Sequence, residues 1–290
     1  MPEGLQPPAP NIIDDAVLAA LEEDGAHDDV TTRALVRPDQ WGAGVIIAKD
    51  DGIIAGLPIA AAALTGLDEE VAFDTLVADG DRVSAGARLA EVEGSLASIL
   101  AAERVALNFL QRLSGIATLT REFVDAVAGT KAVILDTRKT TPGLRQLERY
   151  AVRCGGGQNH RYNLSSGVLI KDNHIAAVRS RGIEDLSDVV ALARQTAPHT
   201  LRIEVEVTNL VMLKEALDGG ADIILLDNMM VDEIASCVEL VAGGALVEAS
   251  GGITLDNVRA IATTGVDYIS IGRLTHSAPS LDISLDVGEG

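Results

Sequence analysis

Ten of the chain's 23 lysines and arginines fall between Lys131 and Arg181, a stretch holding only three of its 43 acids, Asp136, Glu148 and Asp172. On a chain of formal net charge −20, such a concentration reads as a pocket that steers a small polyanion inward. Arg138, Lys139, Arg161 and Lys171 stand at or near the ends of apolar runs, with His160 among them. Guanidinium groups bind carboxylates through paired hydrogen bonds, so two arginines suit a dicarboxylate. Arg145, Arg149 and Arg153 recur at helical spacing and are expected as a solvated stripe. Glu206 and Asp227 supply the opposite chemistry, as acceptors for ribose hydroxyls or oxygen donors to Mg2+. Pairing with the nearby lysines is their structural alternative. Ser250-Gly251-Gly252 would leave N–H groups free for a phosphate at a helix start, and Gly272-Arg273 would complete that cradle. His160 and His174 lack a third metal ligand at sensible spacing, so no zinc site is expected. Neither a Ser-His-Asp order nor a Walker-type loop occurs.

These groups need a scaffold that gathers them. From residue 131 onward, short apolar runs at 132–135, 168–170, 201–207, 223–226, 245–247 and 268–271 alternate with helical stretches. Thr141-Pro142 resembles an N-cap with Pro at the first helical position, and Gly155 a stop. Gly219-Gly220 and Gly243-Gly244 end later helices. Six strands of this kind predict a parallel α/β sheet, closed or nearly closed, short of the eight of a full barrel. The C-terminal strand ends of such a sheet share one face. Asp136 to Lys139, Lys171 to His174, Glu204 and Glu206, Asp227-Asn228, Ser250 to Gly252 and Gly272-Arg273 should therefore meet at one mouth.

The first ~115 residues differ in pattern. Strands are expected at 44–49 and 52–55 around an Asp-Asp-Gly turn, then at 71–76 and 88–92, with a long helix over 95–113. Residues 79–86 resemble the hairpins of biotinyl and lipoyl carriers, but Lys49 is the only lysine before residue 131, so carrier chemistry is not expected. The alternating segment 281–285 is expected to return and pair with this N-terminal sheet. With 47% apolar and only 2% aromatic residues, aliphatic side chains must build the core. The acidity and scarce aromatics argue against nucleic-acid binding. Cys154 and Cys237, at no ligand or disulfide-framework spacing, fit a reduced compartment, with Cys154 as inert packing. The start has no basic n-region followed by an apolar run, and the longest low-charge stretch, 53–67, is too short for a bilayer. A soluble, cytoplasmic chain with no membrane partner is expected.

Taken in order, the motifs resemble one family. They are Glu23-Asp24 to Asp29-Val30-Thr31-Thr32, Glu103-Arg104 to Asn108, Asp136-Thr137-Arg138-Lys139-Thr140-Thr141-Pro142-Gly143, Gly155-Gly156-Gly157 to Asn159-His160-Arg161, Lys171-Asp172-Asn173-His174, Glu204-Val205-Glu206-Val207, Leu226-Asp227-Asn228 and Ser250-Gly251-Gly252-Ile253. Such a series is similar to quinolinate phosphoribosyltransferase, the decarboxylating enzyme of de novo NAD synthesis. One Thr-Arg-Lys-Thr-Thr-Pro-Gly stretch alone would not single it out, because molybdenum-transport-linked homologues share it. The resemblance implies an N-terminal α/β sandwich over 1–114, rejoined by 276–290, and an open, incomplete parallel α/β barrel over 115–275. It implies quinolinate and phosphoribosyl pyrophosphate with Mg2+ as substrates and cofactor, and nicotinate mononucleotide, pyrophosphate and CO2 as products. Carried over position by position, Arg138, His160 and Arg161 would hold the two carboxylates, with Thr137 beside them. Lys139 and Lys171 would lie near the pyrophosphate and the reacting centre. Glu206 and Asp227 would handle the ribose hydroxyls or the Mg2+-bound diphosphate; Mg2+ is not expected to be held by the protein alone. Ser250, Gly251, Gly252, Ile271, Gly272 and Arg273 would surround the 5-phosphate. Arg104 would reach a partner subunit's site, making a homodimer the smallest active unit. Strand alternation places Glu204 on the face of Glu206, although the family pattern favours Glu206 for ribose. A nicotinate-specific transferase and a catalytically silent anion-binding protein are the competing classes.

Overall fold

The computed structural model describes residues 5–288. Its first elements are α1 Pro10–Asp24, α2 Val30–Leu35, β1 Trp41–Ala48, β2 Gly52–Ile53, α3 Leu57–Thr65, β3 Ala72–Thr75, β4 Arg82–Val83, β5 Arg88–Ser95 and α4 Leu96–Ala126. There follow β6 Val133–Leu135, α5 Arg145–Cys154, β7 Val168–Ile170, α6 Asp172–Arg179, α7 Leu186–Thr196, β8 Ile203–Val207 and α8 Leu210–Asp218. The last are β9 Ile223–Asp227, α9 Val231–Val241, β10 Leu246–Ser250, α10 Val258–Thr263, β11 Tyr268–Ser270, α11 Arg273–His276 and β12 Ile283–Gly288. They form two compact units: residues up to 121, 139–157 and from 273 onward in one, 122–138 and 158–272 in the other.

The first unit contains a four-stranded antiparallel sheet in the order β12-β1-β5-β3 and a two-stranded ribbon of β2 and β4. The returning C-terminal strand pairs with β1 from Ala48↔Ile283 to Ala43↔Gly288, as its alternation predicts. The Asp50-Asp51 turn does not make a hairpin, however. β2 leaves β1 and pairs with β4, because β1 already has β5 and β12 on its two edges. The Asp29 side chain caps α2, accepting from the N–H groups of Thr31 and Thr32. That explains the Asp-Val-Thr-Thr motif without any ligand.

Helix α4 runs well past residue 113, and Gly115 explains why the sequence misleads. A Cβ there would lie 1.9 Å from the Pro279 carbonyl oxygen, so this glycine admits a neighbouring backbone rather than ending a helix. Ser114 meanwhile bonds both the N–H and the carbonyl of Ala55. Helix α5 begins at Arg145, later than Thr141-Pro142 implies. The Thr141 N–H and hydroxyl both donate to the buried Glu148 carboxylate, which holds the Thr-Pro-Gly segment as a turn in front of the helix. Gly155 follows its last residue as expected. The expected arginine stripe is not solvated: Arg149 is buried, Arg145 donates to Thr140, and Arg153 lies over the Tyr150 ring.

The second unit is a six-stranded parallel sheet in the order β6-β11-β10-β9-β8-β7. Its edge strands β6 and β7 are not joined, so it is an incomplete α/β barrel with an open seam. Register decides which side chains share a face. Glu206 is level with Leu225, which is level with Glu248 and then Tyr268; Asp227 is level with Ser250 and then Ser270. Glu204 precedes Glu206 by two residues, so one face of the sheet carries Glu204, Glu206, Asp227, Glu248, Ser250 and Ser270. The alternate residues Val205, Val207, Ile224, Leu226, Val247, Ala249 and Ile269 are buried on the other face. Two-sided burial normally makes parallel strands apolar throughout. A row of acids and hydroxyls on one face needs something polar to meet.

Candidate active site

Asp136, fully buried after β6, fixes the segment that carries the first recognition residues. Its carboxylate accepts from the His160 N–H at 2.8 Å and from the Asn159 side-chain amide at 2.6 Å. Gln158 bonds Ile134 and Asp136 through its backbone, lying along the free edge of β6 like a further strand. Arg138 and Arg161 are thereby neighbours. Burial lowers the proton affinity of Arg161, and the charge of Arg138 lowers it further. Arg161 also donates to the Gly167 carbonyl at 2.9 Å. Two crowded guanidinium groups form a site that gains most from a dianion.

Lys171 follows β7 and forms an ion pair with Glu206 on β8. His174 has a local use: its Nδ1 accepts from the Lys171 N–H and steadies the start of α6. Asp227 ends β9, accepting from the Asn228 side-chain amide at 2.8 Å. Asn228 is held with φ 54° and donates its N–H to the Ser250 carbonyl. Beyond β10, Gly251 and Gly252 have φ values of 85° and 62°, and among the described residues their N–H groups take no partner. A Cβ on Gly251 would sit 2.3 Å from the Asn228 side-chain oxygen. The glycine is required by this close approach as well as by its φ. The sequence expectation of a helix start at this turn needs correction, because α10 begins only at Val258. The bare N–H groups here belong to a glycine turn, with no helix dipole behind them. Ile271 donates its N–H to the Leu135 carbonyl, tying the β11 exit to β6.

Thr137, Arg138, His160, Arg161, Lys171, Glu206, Asp227, Ser250, Gly251, Gly252, Ile271 and Gly272 all belong to the second unit. Arg104, Lys139 and Arg273 belong to the first. Arg104 is exposed on α4, and Arg273 is the exposed first residue of α11. Lys139 is also exposed, its carbonyl accepting from the Thr275 hydroxyl.

Sequence reasoning passed over Glu248 as a site residue. Its carboxylate lies 3.5 Å from the His160 Nε2, and that of Glu204 lies 3.3 Å from the same atom. The readable signal was an acid inside the apolar run Leu246-Val247-Glu248-Ala249, two residues before Ser250 and on its face. Burial works against a charge on His160, but hydrogen bonds to Glu204 and Glu248 and their charges outweigh it, pushing the histidine up to about 10. Burial and the charge of Glu248 raise Glu204 as well, against the hydrogen bond from His160. The three groups lie close enough to enclose a cation. The Arg161 backbone N–H approaches Nδ1 at 2.6 Å, while Nε2 faces the two carboxylates. The cluster is hydrogen-bonded in this state.

The family model for quinolinate phosphoribosyl transferase, C-terminal domain, matches residues 116–286, and that for the N-terminal domain matches residues 29–114. The chain belongs to the quinolinate phosphoribosyltransferase family. It is 47% identical over 265 residues to a probable nicotinate-nucleotide pyrophosphorylase [carboxylating] of Bacillus subtilis (strain 168), covering 91% of this chain and 90% of that one. It is 44% identical over 282 residues to the nicotinate-nucleotide pyrophosphorylase [carboxylating] of Mycobacterium leprae, covering 94% and 96%. Among solved structures, NadC from Streptococcus pyogenes superposes with a TM-score of 0.92 at 43% identity, over 98% of this chain and 99% of the other. The open parallel barrel and separate antiparallel sheet thus match the fold of the family.

Proposed function

We propose that this chain transfers a phosphoribosyl group from phosphoribosyl pyrophosphate to quinolinate, yielding nicotinate mononucleotide, pyrophosphate and CO2 in NAD biosynthesis. The observation that carries this reading is the pairing of Arg138 with Arg161 beside His160, in the unit whose sheet presents Glu206, Asp227 and Gly251. Arg138 follows β6 with Arg161 held beside it, and the acceptors for ribose hydroxyls come from β8 and β9 of the same sheet. A glycine turn suited to phosphate stands beside them.

In this reading the arginines hold the pyridine dicarboxylate so that its ring nitrogen faces the ribose carbon. A C–N bond forms there as the C–O bond to diphosphate breaks, and positive charge develops on the ribose. Glu206 and Asp227 oppose that charge, while Lys139 and Lys171 meet the departing diphosphate. The bond to the carboxylate beside the nitrogen then breaks. Its electron pair stays on the ring carbon, beside a nitrogen made cationic by ribosylation, and a proton replaces the CO2. The Glu206 and Asp227 carboxylates are hard oxygen donors of the kind Mg2+ accepts, and bound with the diphosphate the ion would offset leaving-group charge.

The same reading assigns the transfer chemistry to 115–275, with 1–114 and 276–290 as the companion domain. It makes the active enzyme a homodimer or larger, with Arg104 serving the partner's site, acting in the cytoplasm. The test mixes protein, quinolinate, phosphoribosyl pyrophosphate and Mg2+ and follows CO2 and nicotinate mononucleotide together. Equal appearance of both, with no reaction of nicotinate, is the expected result. Turnover of nicotinate without CO2 would overturn the substrate assignment and leave the family intact.

A further inference from the structure

The segment Lys139-Thr140-Thr141 lies between the end of β6 and the start of α5 and belongs to no strand or helix. Each of its three residues is nonetheless pinned. The Lys139 carbonyl accepts from the Thr275 hydroxyl at 2.8 Å. The Thr140 hydroxyl accepts from the Arg145 Nε at 3.0 Å, and the Thr141 N–H and hydroxyl donate to Glu148 at 3.0 and 2.7 Å. Thr275 is 0% exposed. Its own carbonyl accepts from the Arg112 guanidinium, which also donates to Glu148 at 2.9 Å. These bonds close a ring through Lys139, Thr275, Arg112, Glu148 and Thr141, and all of it lies within the first unit.

Helix α11 depends on the same ring. It has only four residues, Arg273–His276, a single turn too short to hold its shape without tertiary contacts. Its anchors are the buried Leu274 side chain and the two bonds of Thr275. Arg273 at its start is exposed, as is Lys139. One buried hydroxyl thus stands between two exposed cations, two residues along the chain from Arg273 and one hydrogen bond from the Lys139 backbone.

We propose that Thr275 is a positioning residue for phosphoribosyl pyrophosphate, fixing Lys139 and Arg273 relative to each other so that both phosphate-bearing ends of that substrate meet cations already in place. This rests on the assignment of Lys139 to the diphosphate and of Arg273 to the 5-phosphate. Glu148 and Arg112 act through Thr141 and Thr275 to complete the ring. Backbones ordered before the substrate arrives need not be ordered by it, and affinity gains accordingly. The hydroxyl itself is spent on a carbonyl, so its effect on the substrate passes through Lys139 and Arg273.

Thr275→Val keeps the shape of the side chain and removes the hydroxyl, whereas Thr275→Ser keeps the hydroxyl. On the full chain, calorimetry with Mg2+ present measures binding of phosphoribosyl pyrophosphate and of quinolinate separately, alongside steady-state turnover. Thr275→Val should weaken phosphoribosyl pyrophosphate about tenfold in both Kd and KM, and quinolinate by less than about twofold. Thr275→Ser should stay within about twofold of wild type for both ligands. All assays are run below the thermal transition of each variant. Glu148→Gln, which loosens Thr141 from the other side, replaces Thr275→Val if that variant does not fold, with the same split expected. Undiminished affinity for phosphoribosyl pyrophosphate, equal weakening of both ligands, or a serine variant as weak as the valine one would each overturn the proposal. Wild type that binds phosphoribosyl pyrophosphate but turns over no quinolinate would defeat the reaction assignment alone, and the binding split would still decide the role of Thr275. Wild type that does not bind phosphoribosyl pyrophosphate would overturn both.

Discussion

Replacing Arg112 with methionine should cost far more stability than its partly exposed position implies. Its guanidinium donates to the Glu148 carboxylate at 2.9 Å, to the Ala278 carbonyl at 3.0 Å and to the Thr275 carbonyl. Glu148 is completely buried, and the donors left to it would be the N–H and hydroxyl of Thr141. Removing one partner of a buried pair costs about 3–5 kcal/mol, because the other charge stays desolvated. The 26% exposure of the Arg112 side chain screens part of this, so about 3 kcal/mol is the working figure. At about 2–4 °C per kcal/mol for chains of this order, Tm should fall by about 6–12 °C. Thermal unfolding of Arg112→Met, Glu148→Gln and the double variant measures both cost and coupling. The double variant should be more stable than Arg112→Met, since neutral glutamine no longer strands a charge. A Tm loss below about 2 °C, or strict additivity across the cycle, would refute the reasoning.

Two further outcomes are expected at the site. Arg161→Ala should lower kcat/KM for quinolinate by at least about 30-fold, corresponding to roughly 2–5 kcal/mol for a desolvated arginine–carboxylate contact; unchanged steady-state kinetics would remove Arg161 from substrate binding. Gly251→Ala must displace Asn228 and force alanine into a left-handed conformation costing about 1–2 kcal/mol. It should raise KM for phosphoribosyl pyrophosphate well before that for quinolinate, and equal effects on both would count against a phosphate role for this turn.

Much of the second unit was legible because strand and site share one signal. Parallel strands announce themselves as apolar runs, and polar residues within or just after them mark the functional face. All six strands appear where those runs lie, and Glu206, Asp227 and Ser250 fall on one face as alternation requires. What stayed hidden depended on contacts between distant segments. Arg149 looked solvated because its spacing is that of an exposed stripe, and nothing local reveals a buried helix. The helix expected to end at 113 runs on through Gly115, whose missing side chain admits the distant Pro279. Glu248 lacked a partner until the chain brought His160, 88 residues earlier in sequence, against the same sheet face.

The chain crosses between its two units four times, after residues 121, 138, 157 and 272. Two of those crossings split candidate site residues, Arg138 from Lys139 and Gly272 from Arg273. No single cut can therefore yield either unit whole. A fragment ending near residue 114 forfeits α5, Tyr150 and with it the hydrogen bond to the buried Asp79, as well as the strand β12 that covers an edge of β1. Gene fusions, split-protein sensors and circular permutants built on this chain have to break it inside a unit, at an exposed loop such as that around Gly182, rather than at any border between units. The same threading means that a folding intermediate with the first unit complete must already have joined three segments, from before residue 122, from 139–157 and from beyond residue 272.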